Sequence, residues 1–254
     1  MKKIVILGTD CDSTNIIYNQ IIKQFYIEKV ILEKKENKMI FFKRRIKMQG
    51  IFAVLGQIAF ILFVSKPLFY CSKKRIRQIV STNNLNLGKI PSNKLLLVDS
   101  VNNEKTRQLL KRLNPDLVIL SGTRIVSQKT LNAVNCKFIN IHAGITPEYR
   151  GVHGAYWALV NNDKKNMGVT VHLVDKGIDT GNIIFQELIV PTKEDNFVTY
   201  PYLQLATAMN SLNKYIEKCL NNNIISYSKN RPGRLWYHPT LWQYLFYFIK
   251  MGIK

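Results

Sequence analysis

Short apolar runs alternate along the chain with segments whose apolar residues have helical spacing. Four runs have the length and composition of buried parallel strands: residues 3–7, 29–33, 94–98 and 116–120. Residues 16–25 and 101–112 have the spacing of helices that cover a sheet. This alternation predicts an α/β fold, a Rossmann-like, mostly parallel sheet with helices on both faces.

A different pattern begins near residue 137. Residues 137–141 form an apolar run before a Gly/Pro-rich segment, which predicts a buried strand that ends in an exposed loop. Residues 169–175 alternate apolar and polar, and residues 183–190 form another apolar run. Because the linker between these two is short and Gly-rich, we expect an antiparallel hairpin with Asp179 in its loop.

An apolar run at residues 51–64 lies between basic clusters at 43–47 and 73–77. Fourteen helical residues reach about 21 Å, less than a hydrocarbon core of about 30 Å, so we predict that the run does not span a membrane. A helical hairpin packed on the catalytic domain or on a dimer partner is the favoured interpretation. The alternative is a helix in a membrane surface, with 43–77 meeting anionic headgroups.

The C-terminal part is predicted to be helical. Residues 197–220 have helical spacing, and Thr240 is a candidate N-cap for a last helix at 241–250. That helix is apolar almost all round, so something must cover it. The 51–64 segment, in the same chain or a partner, is the simplest cover, and contact of 241–254 with a membrane is the alternative. We therefore predict a catalytic domain at 1–191, with a helical insertion at about 36–80, and a helical extension at 192–254 packed on it.

Composition narrows the class of partner only coarsely. The 254 residues carry a net charge of +21, from 37 basic and 16 acidic residues, which suggests an anionic partner such as phosphate, nucleic acid or a lipid surface. Four cysteines without Cys-x-x-Cys spacing indicate neither a zinc site nor a disulfide framework. The first apolar run is too short for a signal peptide, so we expect a cytoplasmic protein, with the inner face of the membrane as the alternative.

Three polar residues have the types and spacing of a catalytic group. Asn140 and His142 lie two apart at a strand end, so their side chains point the same way. Asp179, in a Gly-bounded loop, could orient the imidazole and raise its proton affinity. Alone, such a His is more often structural, and Asp-Thr-Gly is ordinary turn chemistry. Together the three residues favour catalysis.

These residues also occur in an order that is typical of one enzyme family. Asn140-Ile-His142, Pro147-x-Tyr149-Arg-Gly151, the strand containing His172 and Asp179-Thr-Gly181 resemble the signature of the 10-formyltetrahydrofolate-dependent formyltransferases. The resemblance covers residues 115–191, and more weakly extends back to residue 3. It implies transfer of a formyl group from 10-formyltetrahydrofolate to an amine, without a metal, by Asn140, His142 and Asp179.

The resemblance also implies two sets of ligand contacts. For the folate it implies Ser121, Gly122, Arg124, Ile125 and Val126, with Val174, Asp175, Lys176 and Gly177. For the acceptor it implies Ser13, Thr14 and Asn15, in the place of a phosphate loop, with Tyr149, Arg150 and His153. From the residues alone, an N-cap role for Asp12 or Ser13 is an equal alternative.

The family divides by acceptor. About sixty residues follow Pro191, patterned as two helices, whereas the methionyl-tRNA enzymes carry a separate C-terminal barrel. The glycinamide ribonucleotide enzymes lack the basic, apolar insertion. We therefore expect a sugar N-formyltransferase that acts on nucleotide-linked amino sugars for surface polysaccharides such as lipopolysaccharide, with no nucleic-acid partner. The two other acceptors, a homodimer, and a non-catalytic, membrane-associated binding protein on the same fold are the alternatives.

Overall fold

The computed structural model describes all 254 residues, which form a sheet surrounded by helices. The strands are β1 (Ile4–Gly8), β2 (Ile27–Glu33), β3 (Leu95–Val98), β4 (Leu117–Ser121), β5 (Lys137–His142), β6 (Tyr149–Gly151), β7 (Gly168–Leu173), β8 (Ile183–Leu188) and β9 (Arg234–Trp236). The helices are α1 (Asp12–Ile21), α2 (Lys38–Gln49), α3 (Ile51–Phe60), α4 (Lys66–Cys71), α5 (Lys73–Thr82), α6 (Glu104–Leu113), α7 (Gln128–Leu131), α8 (Gly154–Val160), α9 (Tyr200–Leu220) and α10 (Leu241–Met251).

Seven strands form the main sheet, in the order β3-β2-β1-β4-β5-β7-β8. The first five are parallel, β7 is antiparallel to β5, and β8 is antiparallel to β7. Every residue of β1 and β4 is buried, as expected for central strands covered on both faces. The predicted mostly parallel sheet and the predicted hairpin are both confirmed. The remaining strands, β6 and β9, pair in parallel as a separate ribbon.

Apolar clusters lie on both faces of the sheet. One joins the sheet to α1 and α9, through residues such as Ile17, Leu212 and Ile216. The other includes Leu110 of α6 and Val126. Because α9 shares its core with the sheet, most of the segment after residue 191 is integral to this body. The boundary at 191 stays a prediction.

The insertion differs from the predicted hairpin. After a break at Gly50, where φ is +84°, the chain runs as one helical stretch from Ile51 to Cys71. Its middle, Ile61–Ser65, is a π-helical turn. Pro67 lacks an amide hydrogen and would crowd the preceding turn of a regular helix, and the wider turn accommodates it.

This continuity overturns the length argument made from the sequence. Twenty-one residues reach about 31 Å at about 1.5 Å per residue, so the stretch is long and apolar enough to cross a membrane by length and composition. The prediction counted only the apolar run at 51–64, whereas the helical stretch continues through Pro67 to Cys71.

The insertion packs on α10 and on the segment just before α9. Phe60 is fully buried, with its ring 4.9 Å from that of Phe197 and 5.2 Å from that of Tyr244. The expected contact of α3 with α10 is present, but it covers only part of the last helix: Tyr244 is buried, whereas Ile249 is 81% exposed. Thr240 caps α10 in a reciprocal capping box with Gln243, as predicted.

We expect Leu212→Ala to lower the free energy of unfolding by about 2–5 kcal/mol, because it leaves a cavity between α9 and the sheet. Leu55→Ala makes the same chemical change on a helix at a half-exposed position, and should cost less than about 1 kcal/mol. Urea unfolding followed by circular dichroism measures both. Equal losses would contradict the assignment of Leu212 to the core.

Candidate active site

Asn140, His142 and Asp179 meet in the structure. The Asn140 amide nitrogen donates to Asp179 Oδ1 at 3.2 Å, and His142 Nδ1 lies 3.3 Å from Asp179 Oδ2. The strand β5 points Asn140 and His142 to one side, and the β7–β8 loop supplies Asp179. The predicted convergence of these three side chains is confirmed, whereas their catalytic roles remain to be tested.

His172 of β7 is a fourth member of the cluster. Its Nδ1 donates to the Leu173 carbonyl at 2.7 Å, which leaves Nε2 to accept from the Asn140 amide at 3.2 Å. Nε2 also lies 3.5 Å from Asp179 Oδ1. From the sequence the side of the strand that His172 faces was open. The pairing of Asn140 with His172 across β5 and β7 places it at the site.

The loop that holds Asp179 depends on close backbone contacts. Asp179 has a left-handed backbone with φ of +51°, and its Oδ2 accepts from the Gly151 N–H at 2.9 Å. At Gly151 φ is +93°, and a Cβ there would lie 2.3 Å from the Trp236 carbonyl oxygen. A Cβ at Gly181 would lie 1.8 Å from the Leu173 carbonyl oxygen. Only glycine fits these two positions, because any side chain would force the backbones apart.

Asp179 is ionised at neutral pH. Burial alone would raise the pKa of its carboxyl, but attraction to the His142 ring whenever that ring is protonated, together with His172 and the Gly151 N–H, lowers the pKa to about 2. For His142 burial dominates and lowers the imidazole pKa, although the Asp179 charge and the Tyr149 carbonyl act in the opposite direction. The ring is therefore neutral near pH 7. A neutral imidazole beside a carboxylate is a proton acceptor.

The neutral ring has a defined tautomer. His142 Nε2 lies 2.7 Å from the Tyr149 carbonyl oxygen, so Nε2 carries the proton and donates it. Nδ1 is then unprotonated and lies 3.3 Å from Asp179 Oδ2. A proton that arrives at Nδ1 is stabilised by the adjacent negative charge.

A cavity of about 430 Å³ opens beside this cluster. Seven of the nine predicted folate contacts line it: Gly122, Arg124, Ile125, Val126, Val174, Asp175 and Gly177. The other two do not. The Ser121 hydroxyl accepts a hydrogen bond from Thr14 in the interior, and Lys176 is exposed outside the lining.

Glu33 orders one wall of this cavity, and sequence reasoning did not find it. It lies at the end of β2 with only 5% of its surface exposed. Its carboxylate accepts from the Arg124 N–H at 2.5 Å and from the Val101 N–H at 3.2 Å. A charged residue at the end of an apolar strand was the available signal. Its partners are distant in sequence, so the pattern alone did not identify them.

The predicted acceptor contacts do not form one group: three lie at α1 and three lie near β6. Thr14 is buried, Ser13 lies close to Cys11 and Ser121, and Asn15 is partly buried on α1. The N-cap residue of α1 is Cys11, without a side-chain cap bond, so the alternative N-cap role of Asp12 or Ser13 is wrong.

The remaining acceptor contacts lie near β6. Arg150 lines a cavity of about 230 Å³ together with Asp179. Tyr149, by contrast, is buried with its hydroxyl donating to Asp163, and lines neither this cavity nor the larger one. His153 Nε2 lies 2.9 Å from His238 Nδ1, and its ring lies 4.0 Å from that of Phe197. These positions leave Arg150 as the member of the set beside the cluster.

No group of three or more His, Cys, Asp or Glu side chains in the structure is arranged to hold a metal ion. The chemistry that the cluster offers is that of an amide donor, a neutral imidazole and a fixed carboxylate. This set can stabilise a developing oxyanion and accept a proton.

Comparison with known proteins agrees with this geometry. A family model described as formyl transferase matches residues 64–202. A methionyl-tRNA formyltransferase from Caldanaerobacter subterraneus is 35% identical over 108 residues, 42% of this chain and 35% of the relative. One from Thermodesulfovibrio yellowstonii is 33% identical over 133 residues, 52% of this chain and 42% of the relative. The matches thus span less than half the length of these curated relatives.

Solved structures share the fold at low identity. A sugar N-formyltransferase from a Shewanella species superposes with a TM-score of 0.59 and 17% identity, covering 93% of this chain and 76% of that one. A phosphoribosylglycinamide formyltransferase from Streptococcus pneumoniae gives a TM-score of 0.53 and 22% identity, covering 87% and 99%. At these identities the similarity shows the fold alone.

Removing the Asp179 charge should lower the pKa of His142. We expect Asp179→Asn to shift the His142 titration to lower pH than in the wild type, where it already lies below the ordinary value of about 6.5. The chain contains four histidines, and NMR of protein labelled at histidine measures the titration of each. Asp175→Asn, in the same loop, is the control and should leave it unchanged. A His142 titration that moves upward in Asp179→Asn would contradict the described charge pair.

Proposed function

The chain belongs to the formyl transferase family, and from this premise we propose that it transfers a formyl group from 10-formyltetrahydrofolate to the primary amine of a nucleotide-linked amino sugar. The observation that carries the proposal is the meeting of Asn140, His142 and Asp179 at the wall of a cavity lined by the expected folate segments. We place the reaction in the cytoplasm. The proposed product is a formylated sugar for surface polysaccharide.

In the proposed reaction the uncharged amine attacks the formyl carbon. A carbon–nitrogen bond forms, the carbonyl oxygen becomes an oxyanion, and the bond from that carbon to N10 of the folate then breaks. The amine's proton passes to His142 Nδ1, beside Asp179, and from there to the departing folate nitrogen. Atoms and charge balance without a further reactant.

Asn140 is the proposed oxyanion donor. Its amide N–H groups are directed towards Asp179 and His172, so the side chain is held in place before reaction. An oxyanion that develops beside this amide would accept one of these hydrogens. Loss of a single preorganised donor of this kind typically costs about 100- to 1000-fold in rate.

A phosphorylated acceptor is supported by the charge next to Asp179. The smaller cavity that Asp179 lines also contains Arg150, Lys229 and Arg231. The Arg150 Nε is buried and has no hydrogen-bond partner in the protein. A buried guanidinium nitrogen without a partner favours an anionic ligand, because an unpaired buried donor is costly. A nucleotide diphosphate supplies such a ligand.

Methionyl-tRNA is the second candidate acceptor. It is favoured by the name of the curated relatives and by the net charge of +21, which suits a polyanion. Glycinamide ribonucleotide, the third acceptor class, is favoured by similarity of fold alone.

A panel of acceptors tests the proposal. We expect incubation with 10-formyltetrahydrofolate to formylate a nucleotide-linked amino sugar, because Arg150, Lys229 and Arg231 bind its phosphates. Mass spectrometry of each acceptor detects replacement of one hydrogen by a formyl group. Glycinamide ribonucleotide and methionyl-tRNA are assayed in parallel. Formylation of methionyl-tRNA with no sugar product would refute the sugar assignment, whereas formylation of none of the acceptors would count against formyl transfer itself.

Variants of the cluster test the mechanism. We expect Asn140→Ala to reduce kcat by about 100- to 1000-fold, because it removes the oxyanion donor. His142→Gln should reduce it similarly, because the ring's proton acceptor is lost. Asn132→Ala changes the asparagine that follows α7 as its C-cap, outside both cavities, and should retain activity. Circular dichroism checks that each variant is folded. Unchanged kcat in folded Asn140→Ala and His142→Gln would remove both residues from the mechanism.

A further inference from the structure

The helical layer formed by α2, the stretch Ile51–Cys71 and α10 carries an extensive exposed apolar surface. Phe52, Phe63 and Ile249 are 79%, 71% and 81% exposed. Many further large apolar side chains on these helices are also exposed. We call this region the apolar helical surface. An extensive exposed apolar patch on a folded domain marks a site of contact with a protein or a membrane.

The stretch Ile51–Cys71 is apolar on two opposite faces. Its inner face includes Val54 and Phe60, which are buried. Its outer face includes Phe52, Leu55 and Phe63, which are exposed. A helix on a water-facing surface normally has polar residues on its outer side. The outer face therefore has the composition of a helix face that is itself covered.

The exposed faces of this stretch and of α10 are contiguous. The Trp242 ring of α10 packs directly on Gly56, where a Cβ would lie 2.2 Å from the ring. Trp242 itself is about half exposed at this junction. The two helices thus lie side by side and present one surface, rather than two separate patches.

Positive charge surrounds the apolar helical surface. Between Glu36 and Asp99 the chain contains no acidic residue. Exposed basic side chains in this interval include Lys43, Lys47 and Lys66. Such a distribution complements an anionic surface. It does not suit a second copy of the chain on a twofold axis, because like charges would then face one another.

Polar contacts attach the helical stretch to the domain near both ends. The buried Gln57 amide donates to the His238 carbonyl at 2.9 Å. Just beyond the other end, Arg75 makes a two-pronged ion pair with Asp195, both bonds at 2.8 Å. Insertion of the stretch across a bilayer would break these contacts and leave buried polar groups unpaired. The helix is therefore held along the domain.

We propose that the apolar helical surface docks on an anionic lipid bilayer, with the stretch Ile51–Cys71 lying in the plane of the headgroup boundary. Phe52, Phe63 and Trp242 enter the apolar part of that boundary, and Lys43 and Lys66 meet the lipid phosphates. The proposal concerns attachment and does not depend on the identity of the acceptor.

Sedimentation with vesicles tests the proposal. The full chain is mixed with vesicles of phosphatidylcholine containing roughly 30% phosphatidylglycerol, and with pure phosphatidylcholine. We expect binding to the anionic vesicles to be at least about tenfold stronger, and to weaken as ionic strength rises. No binding to the anionic vesicles, or equal binding to both kinds, would overturn the proposal.

Apolar substitutions locate the surface. Phe52→Ser with Phe63→Ser should weaken vesicle binding by about tenfold or more, because both rings leave the membrane boundary. Leu97→Ser with Ile225→Ser makes a comparable change at exposed positions outside the surface, and should have no effect. Circular dichroism confirms folding of both proteins. Equal loss in the control, or no loss in the Phe variant, would refute the assignment.

Charge substitutions test the attraction between the lysines and the lipid phosphates. Lys43→Gln, Lys47→Gln and Lys66→Gln together should weaken binding to anionic vesicles, while the matched set Lys105→Gln, Lys111→Gln and Lys129→Gln should not. Analytical ultracentrifugation without lipid tests whether a second copy of the chain covers the surface instead. A stable dimer that Phe52→Ser with Phe63→Ser dissociates would assign the surface to a second copy and overturn the proposal.

Discussion

The buried carboxylate of Asp179 is the constraint on which the site depends. Removing a carboxylate from water costs several kcal/mol, and an anion remains in such a place only when enough donors and positive charge surround it. Asn140 and the Gly151 N–H donate to it, and the rings of His142 and His172 lie against it. Each charge-assisted hydrogen bond contributes about 1.5–3 kcal/mol, so loss of one partner unbalances the whole cluster.

These partners come from different strands, which is why the fold is needed to assemble them. Asn140 and His142 belong to β5, His172 to the antiparallel strand β7, and Gly151 to the β6–β9 ribbon. The β7–β8 hairpin then returns Asp179 towards all of them. Parallel pairing of β8 with β7 would have required a long crossover in place of this short loop. The antiparallel edge of the sheet is therefore what brings these side chains together.

Local pattern was sufficient to predict part of this arrangement. The period-two rule placed Asn140 and His142 on one side, and the short Gly-rich linker predicted the hairpin that holds Asp179. Thr240 was identified because a cap bonds within its own turn. Such features depend on residues close in sequence. The resemblance to a family supplied the predicted folate contacts, most of which line the cavity.

The features that were missed or wrong depend on contacts distant in sequence. Glu33 orders the segment near Arg124 across ninety residues of chain, and no local pattern encodes that contact. Tyr149 lies beside the catalytic loop, but its ring stacks on Trp236, which turns it into the interior. Continuation of the helix to Cys71 depends on the π turn before Pro67, which the spacing of apolar residues does not reveal.

The segment at 234–238 joins the candidate active site to the helical layer. Trp236 pairs with Gly151, whose N–H binds Asp179, and its ring stacks on Trp157. Two residues later the His238 carbonyl accepts from Gln57 of the helical insertion. A displacement of the insertion therefore acts on the same short strand that positions a donor to the buried carboxylate. The helices outside the sheet are thus joined by hydrogen bonds to the segment that supports the candidate active site.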